Sequence, residues 1–386
     1  MNRESLLERV RPLLPALRER VSRTEAERRL PDETVKDFLE TGLLRALQPA
    51  RFGGLEAEPL AFYDAIMEVA TACASSAWVL GVVGVHDWQL ALFPDEAQQD
   101  VWGNDPATQI SSSYAPTGQV TPVLGGFQLE GRWSFSSGCD FCNWVFLGGV
   151  FTGDSGREMR TFLVPRSDYR IEDDWHVLGL RGSGSKTIVV EGAFVPEART
   201  HSFADAFAGT SPGQALNPGP LYRLPFGCVF TSAIVAPALG TARSAVQEVL
   251  RQAGQRISTA DGSRPGEDPL VVARFGEAES EVESSTAAFR AVWVELQDAA
   301  RSGEEIPLAL RARARSVGAH AVDWSLRATL RLFQAAGSRA IFDDNPLQRA
   351  LRDLIAIRAH AMNNSDKSGS VRAREALGSL GRELFL

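Results

Sequence analysis

The sequence predicts an α+β protein in three parts: an N-terminal helical domain, a central β domain and a C-terminal helical bundle. Apolar residues recur at helical spacing at both ends of the chain and with period two in between. Helical and strand-like runs are also segregated, which argues against a doubly wound parallel sheet. The expected boundaries are residues 1–106, 107–212 and 213–386 of the 386. That length suits two or three cooperating domains better than a single core.

In the first part, PDETVKDFLETG places Val35, Phe38 and Leu39 at helical spacing and stops at Gly42, a residue type suited to the left-handed turn that ends a helix. Two more helices are expected, from Pro59 to Ala72 and from Ser75 to Leu92. The second is apolar nearly all round, so it should be buried. The pattern changes near Ile110. GGFQLEGRWSFSSG sets Phe127 and Leu129 on one face and Gln128 and Glu130 on the other. CNWVFLGGVF, RTFLVP and KTIVVEGAFVP continue as strands to about Val195. Pro122, Pro165 and Pro196 fall at element edges, where a missing N–H does no harm. Residues 201–220 are rich in Gly, Pro, Ser and Ala and are expected to form a long excursion without structure of its own. Helical spacing resumes at Leu221 and lasts to about Met362, with two stretches ending at Gly303 and Gly337 each long enough for a bundle helix. The tail after Asn363 is polar and weakly patterned.

A net charge of −8 argues against nucleic acid as a partner, because phosphate neutralisation needs a basic surface. No apolar run is expected to approach the roughly 18 residues that cross a bilayer. The N-terminus, MNRESLLERVRPLL, alternates charge and leucine as an amphipathic helix does, so a cytoplasmic protein is expected. Of the four cysteines, Cys139 and Cys142 form a CxxC. No second CxxC or paired histidine completes a metal site, so buried free thiols and no metal are expected.

GLRGSGSKT, Gly179 to Thr187, has the look of a phosphate loop but fails as one. Ser185 separates Gly184 from Lys186, and the following residues form a strand, so no helix N-terminus is available. No nicotinamide fingerprint lies between a strand and a helix either. ISSSYAP and WSFSSGCD place serine hydroxyls at strand ends, where they either form turns or hold the polar edge of a heteroaromatic ligand. Of the five histidines, His86 lies in an apolar helix and His360 near the end of the last strong one. Histidine titrates near neutrality and suits proton abstraction from a phenol, although structural roles are commoner.

Taken together, LFQAAGSRAIFDDNPLQRALRD, RLPDETVKDFLETGLLRALQPARFGG, ISSSYAP, WSFSSGCD, WHVLGLRGSGSKT and the RAHA ending at Ala361 resemble one family over roughly residues 10–365. It is the flavin-dependent monooxygenase branch of the acyl-CoA dehydrogenase fold, and the likeness is greatest to oxygenase components of secosteroid phenol and p-hydroxyphenylacetate hydroxylases. The resemblance implies reduced flavin, FMN or FAD, delivered by a separate NAD(P)H:flavin reductase. It implies a C4a-hydroperoxide that hydroxylates an aromatic ring, and a homotetramer. By position, His360 and Ser137 match the catalytic pair. His360 would deprotonate the phenol, and Ser137 would hold the phenol oxygen or the peroxy edge. Trp78, Ser112, Ser113, Tyr114, Phe135, Ser136, Arg256, Ser338, Arg339 and Ala361 match flavin-binding positions. Arg256 would meet the phosphate, Ser338 and Arg339 would come from a neighbouring subunit, and His86 would line the substrate pocket.

The tail after His360 and the 201–220 segment depart from the family pattern, which puts substrate identity in doubt. Relatives that oxygenate an amino sugar nitrogen, an indole or a polyketide ring are the alternative. An acyl-CoA dehydrogenase needs a carboxylate to take an α-proton, and no Glu follows Arg352–Asp353 where those enzymes carry theirs. A non-catalytic binding protein is the remaining possibility.

Overall fold

The computed structural model describes residues 2–153, 156–253, 264–381 and 383. Six helices come first: α1 (Arg3–Val10), α2 (Leu14–Glu27), α3 (Asp32–Glu40), α4 (Pro59–Ala70), α5 (Ala74–Leu90) and α6 (Asp95–Trp102). Eight strands follow: β1 (Ile110–Ser113), β2 (Gln119–Val123), β3 (Gly126–Ser136), β4 (Trp144–Gly153), β5 (Gly156–Pro165), β6 (Arg170–Glu172), β7 (Lys186–Pro196) and β8 (Thr200–Ser202). The chain then returns to helices: α7 (Phe203–Ala208), α8 (Phe226–Ala253), α9 (Pro269–Ser302), α10 (Leu308–Ala336), α11 (Pro346–Ala359) and α12 (Ser365–Ala376).

The strands form two four-stranded sheets, ordered β1-β4-β5-β8 and β2-β3-β7-β6. Among the described residues only β1 and β4 pair in parallel, and Pro122 lies on the edge strand β2 as its missing donor requires. Phe127 and Leu129 of one sheet meet Phe162 and Val164 of the other in a shared apolar layer. β4 is apolar on both faces because it is covered on both. Val145 and Leu147 join that layer, while Phe146 packs with Leu90, Phe93 and Trp102 from the helical side.

All 17 residues of α5 are buried, since this helix runs between the first sheet and the bundle. A side chain at Gly81 would come within 2.5 Å of the Ala233 carbonyl on α8, so glycine allows the close approach. α8 corrects one sequence expectation. An 18-residue window in it reaches mean hydropathy 1.3, enough by length and composition to cross a membrane, and 89% of that window is buried in the protein. Its apolar surface is accounted for by packing.

Two further expectations change. Residues 201–220 are not structureless: β8 and α7 lie there, and His201 and Phe203 are buried. The tail forms α12, whose Val371 packs on Ala312 of α10. Short helices with one buried stripe give little periodic signal, and their stability comes from the surface they dock on.

Candidate active site

The end of β3, the N-terminal part of α5 and the end of α11 converge on Trp78. Its Nε1–H donates to Ser137 Oγ at 3.0 Å, and its ring centroid lies 5.8 Å from that of His360. Ser137 is brought there by Gly138, whose φ of +69° turns the chain sharply after β3. A side chain at Gly138 would press on Val83 and Phe141, so both conformation and space call for glycine.

His360 ends α11 in an extended conformation, and its Nδ1 accepts a hydrogen bond from Met362 N at 3.2 Å. An occupied Nδ1 lone pair puts the proton of the neutral ring on Nε2. Burial, aided by the positive charge of Arg315, lowers this imidazole to about 4. It is therefore neutral at pH 7 and presents an N–H, while keeping a partly exposed face. His86 is the mirror case. It is fully buried, its Nδ1 lies 2.6 Å from the Ile110 carbonyl, and burial lowers it to about 4. A carbonyl only accepts, so His86 carries its proton on Nδ1. Nε2 is a bare lone pair with no partner among the described residues.

Aromatic rings pack against His86. The His86 ring stands 6.1 Å from Tyr114 and 5.6 Å from Phe146. Tyr114 in turn meets Phe203, Phe226 and Phe230 at 6.4, 5.7 and 5.0 Å. The Tyr114 hydroxyl donates to Gln89, and burial pushes its pKa far up. Phe203, Phe226 and Phe230 were not singled out from sequence. The spacing of Phe226 and Phe230 by one helical turn at the start of α8 is the signal that could have found them.

The remaining expected residues divide. Ser113 donates to the Ser134 carbonyl at 2.7 Å and ties β1 to β3, and the Ser112 hydroxyl faces that of Tyr114. The Ser136 hydroxyl is fully buried with no partner among the described residues, as is that of Ser111. Phe135 has φ +69° and a side chain 70% exposed, braced edge-on by Trp175 at 6.0 Å. A bulky residue held left-handed with its ring in solvent is a strained arrangement of the kind found at ligand sites. Ala361 is exposed beside His360. Ser338 and Arg339 are exposed and precede α11, whereas His360 follows it. The 14 residues of α11 set its two ends about 20 Å apart, and no hydrogen bond, ion pair or ring contact joins Ser338 or Arg339 to His360 among the described residues. Arg256 lies outside the described residues.

A glycine-rich loop is clamped next to this centre. Arg352 donates to the Leu178 carbonyl at 2.7 Å, and Asp353 accepts from Leu180 N at 2.6 Å. Asp353 is thereby committed to the loop, and burial raises it to about 7. The cysteines meet expectation: all four are buried and free, and burial pushes Cys139 up to about 12. No metal-binding cluster occurs among the described residues.

Comparison with known proteins bears on what this centre is. The chain is 42% identical over 368 residues, 94% of its length and 95% of the relative's, to the flavin-dependent monooxygenase, oxygenase subunit HsaA, of Rhodococcus jostii (strain RHA1). The chain belongs to the oxygenase subunits of flavin-dependent monooxygenases. This oxygenase also matches the family models "Acyl-CoA dehydrogenase, N-terminal domain" over residues 3–108 and "Acyl-CoA dehydrogenase, C-terminal domain" over residues 232–365. Its fold superimposes on the crystal structure of 3-HSA hydroxylase from Rhodococcus sp. RHA1 with a TM-score of 0.95, at 39% identity and 99% coverage of both chains. It is 33% identical, over 97% of its length and 94% of the relative's, to the oxygenase component of an FADH(2)-dependent resorcinol hydroxylase from Rhizobium sp. (strain MTP-10005). The oxygenase therefore has the acyl-CoA dehydrogenase fold, and its Arg352–Asp353 pair anchors a loop beside the site.

Proposed function

We propose that this oxygenase receives reduced flavin, FMN or FAD, from a separate NAD(P)H-dependent reductase in the cytoplasm and hydroxylates a phenolic or polycyclic aromatic substrate with O2. The residues present fit such a cofactor. A flat ring with a polar edge needs an apolar face and hydrogen-bonding groups that are not already engaged. The exposed Phe135 ring supplies the first, and the buried orphan hydroxyls of Ser111 and Ser136 supply the second. Trp78, Ser112, Tyr114 and Ala361 complete the surface, with Ser338, Arg339 and Arg256 as the more distant contacts. Because α11 separates Ser338 and Arg339 from His360, a neighbouring copy is the natural source of that pair, as in a homotetramer.

When bound, reduced flavin supplies the two electrons that split O2, one atom entering the ring and the other leaving as water. The protein's part is to move protons and keep water out. The observation that carries the reading is the opposite tautomers of the two histidines, and it redistributes the roles expected from sequence. His360 presents Nε2–H and so donates a hydrogen bond; abstracting the phenol proton would require breaking its bond from Met362 N. His86 Nε2 is the free acceptor, on a ring packed against Tyr114. A phenol hydroxyl donating to His86 gains ring electron density. Its proton becomes strongly acidic as oxygen adds to the ring, so a weak base suffices. Ser137 holds the polar edge of the reacting pair. Aromatic walls favour ring hydroxylation over oxygenation of an amine.

Anaerobic titration with reduced FMN and FAD, followed by aerobic incubation with phenols, indoles and amino sugars, tests the proposal. Tight binding of reduced flavin and a hydroxylated phenol or polycyclic product are expected. Failure to bind either reduced flavin, or oxidation of amino sugars alone, would overturn it.

A further inference from the structure

The GLRGSGSKT loop leads to a residue role that its failed phosphate pattern does not suggest. Its hydroxyls form a chain onto Ser137. Ser183 Oγ lies 2.7 Å from Ser185 Oγ, and Ser185 Oγ lies 2.7 Å from Ser137 Oγ. The chain is rigidly mounted. Besides the Arg352 and Asp353 anchors, Gly182 N donates to Ser75 Oγ at 3.2 Å and Gly138 N to the Ser183 carbonyl at 2.9 Å. A side chain at Gly179 would come within 2.0 Å of the Arg352 carbonyl, so the loop lies directly on α11.

Counting protons gives the chain a direction. Three hydroxyls carry three protons, and two contacts between them use two. The Trp78 indole is a donor only and already occupies one lone pair of Ser137. One hydroxyl proton is left over. If it belongs to Ser183 or Ser185, it is stranded in the interior, because those residues are 1% and 4% exposed and the described residues offer their hydroxyls no further acceptor. A stranded polar group of this kind is costly. If the proton belongs to Ser137, it points to the ligand side of the site. The arrangement that strands nothing once ligand is bound runs from Ser183 to Ser185 to Ser137.

We propose that Ser185 is a positioning residue: by donating to Ser137 it turns the Ser137 proton toward the bound flavin and substrate. The inference rests on the role of Ser137 given above and adds a specific asymmetry. Removing Ser185 frees the Ser137 hydroxyl to rotate. Removing Ser183 leaves Ser185 with Ser137 as its remaining acceptor, so the orientation survives. A merely structural role would make two such buried alanine substitutions act alike.

The test compares Ser137→Ala, Ser185→Ala, Ser183→Ala, Ser185→Thr and the Ser137→Ala/Ser185→Ala double variant. Two quantities are read: anaerobic dissociation constants for reduced FMN, and the fraction of consumed O2 released as hydrogen peroxide with a turned-over phenol. Ser185→Ala should weaken reduced FMN 3- to 10-fold and raise peroxide release to about the level of Ser137→Ala, on the order expected for one hydrogen bond. The double variant should be no worse than either single one. Ser183→Ala should match the parent, and Ser185→Thr should recover part of the loss. If Ser137→Ala uncouples while Ser185→Ala behaves as the parent, or if Ser183→Ala is as damaged as Ser185→Ala, the inference fails alone. If Ser137→Ala itself behaves as the parent, the role given to Ser137 fails and takes the inference with it.

Discussion

His86 and His360 carry the same side chain and meet opposite partners: a backbone carbonyl fixes the proton of one, and a backbone N–H fixes the lone pair of the other. Their loss should therefore look different. His86→Asn, which removes the base, should cut product formation by roughly 10²-fold while reduced flavin continues to consume O2 as peroxide. His360→Ala should lower product formation more than it lowers affinity for reduced flavin. Paired measurements of product and peroxide separate the two, and identical profiles would contradict the assignment. The pH dependence follows from the same environment. Both rings are lowered to about 4, so they stay neutral well below the usual histidine range. Activity should hold through pH 6 and fall as pH drops toward 4, where His86 takes a proton before substrate does. Arg315 helps to depress His360. Arg315→Met should therefore raise the His360 pKa, which a histidine NMR titration can follow. A downward shift would contradict the electrostatic account.

The sequence displayed its elements unevenly. α5 was legible because an all-round apolar run has one stable location, and β3 because Phe127 and Leu129 alternate with exposed neighbours. α7 and α12 were not, since each gains its order from the surface beneath it. The candidate site residues stand in motifs, yet the pairing of Ser185 with Ser137 joins positions 48 apart in sequence and needs the fold. The tautomers were also hidden, because they depend on which backbone group stands opposite each ring. Asp353 makes the clamp on the 178–180 turn testable. Burial raises its folded pKa to about 7, above its unfolded value. The unfolded chain thus releases this proton first, and the parent loses up to about 1.4 kcal/mol per pH unit between roughly pH 4 and 7 from this group. Asp353→Asn keeps an oxygen to accept from Leu180 N and removes the titration. Its stability relative to the parent should rise from pH 5 to pH 7 in urea unfolding, and a constant difference would contradict the buried neutral acid.

Taken as an assembly of layers, the chain presses one buried helix, α5, between a sheet and a bundle, and the same helix carries Trp78 and His86 to the site. Helix α11 lays the loop anchors along its length and His360 at its end, while Ser338 and Arg339 precede its other end. Arg339→Ala should therefore weaken reduced flavin binding only through a neighbouring copy. Light scattering should report four chains, and mixing this variant with His360→Ala should place both defects in some shared sites and leave others intact, so that activity is regained on mixing. A monomer binding flavin at full affinity would contradict that arrangement.

The claim on which the rest depends is that one atom of O2 enters an aromatic ring at the expense of reduced flavin. Incubation of the oxygenase with chemically reduced FMN, ¹⁸O₂ and a phenol, followed by mass spectrometry, addresses it directly. The account predicts one ¹⁸O per hydroxylated ring and no product when reduced flavin is omitted. A hydroxylated product carrying oxygen from water, or one formed without flavin, would contradict it.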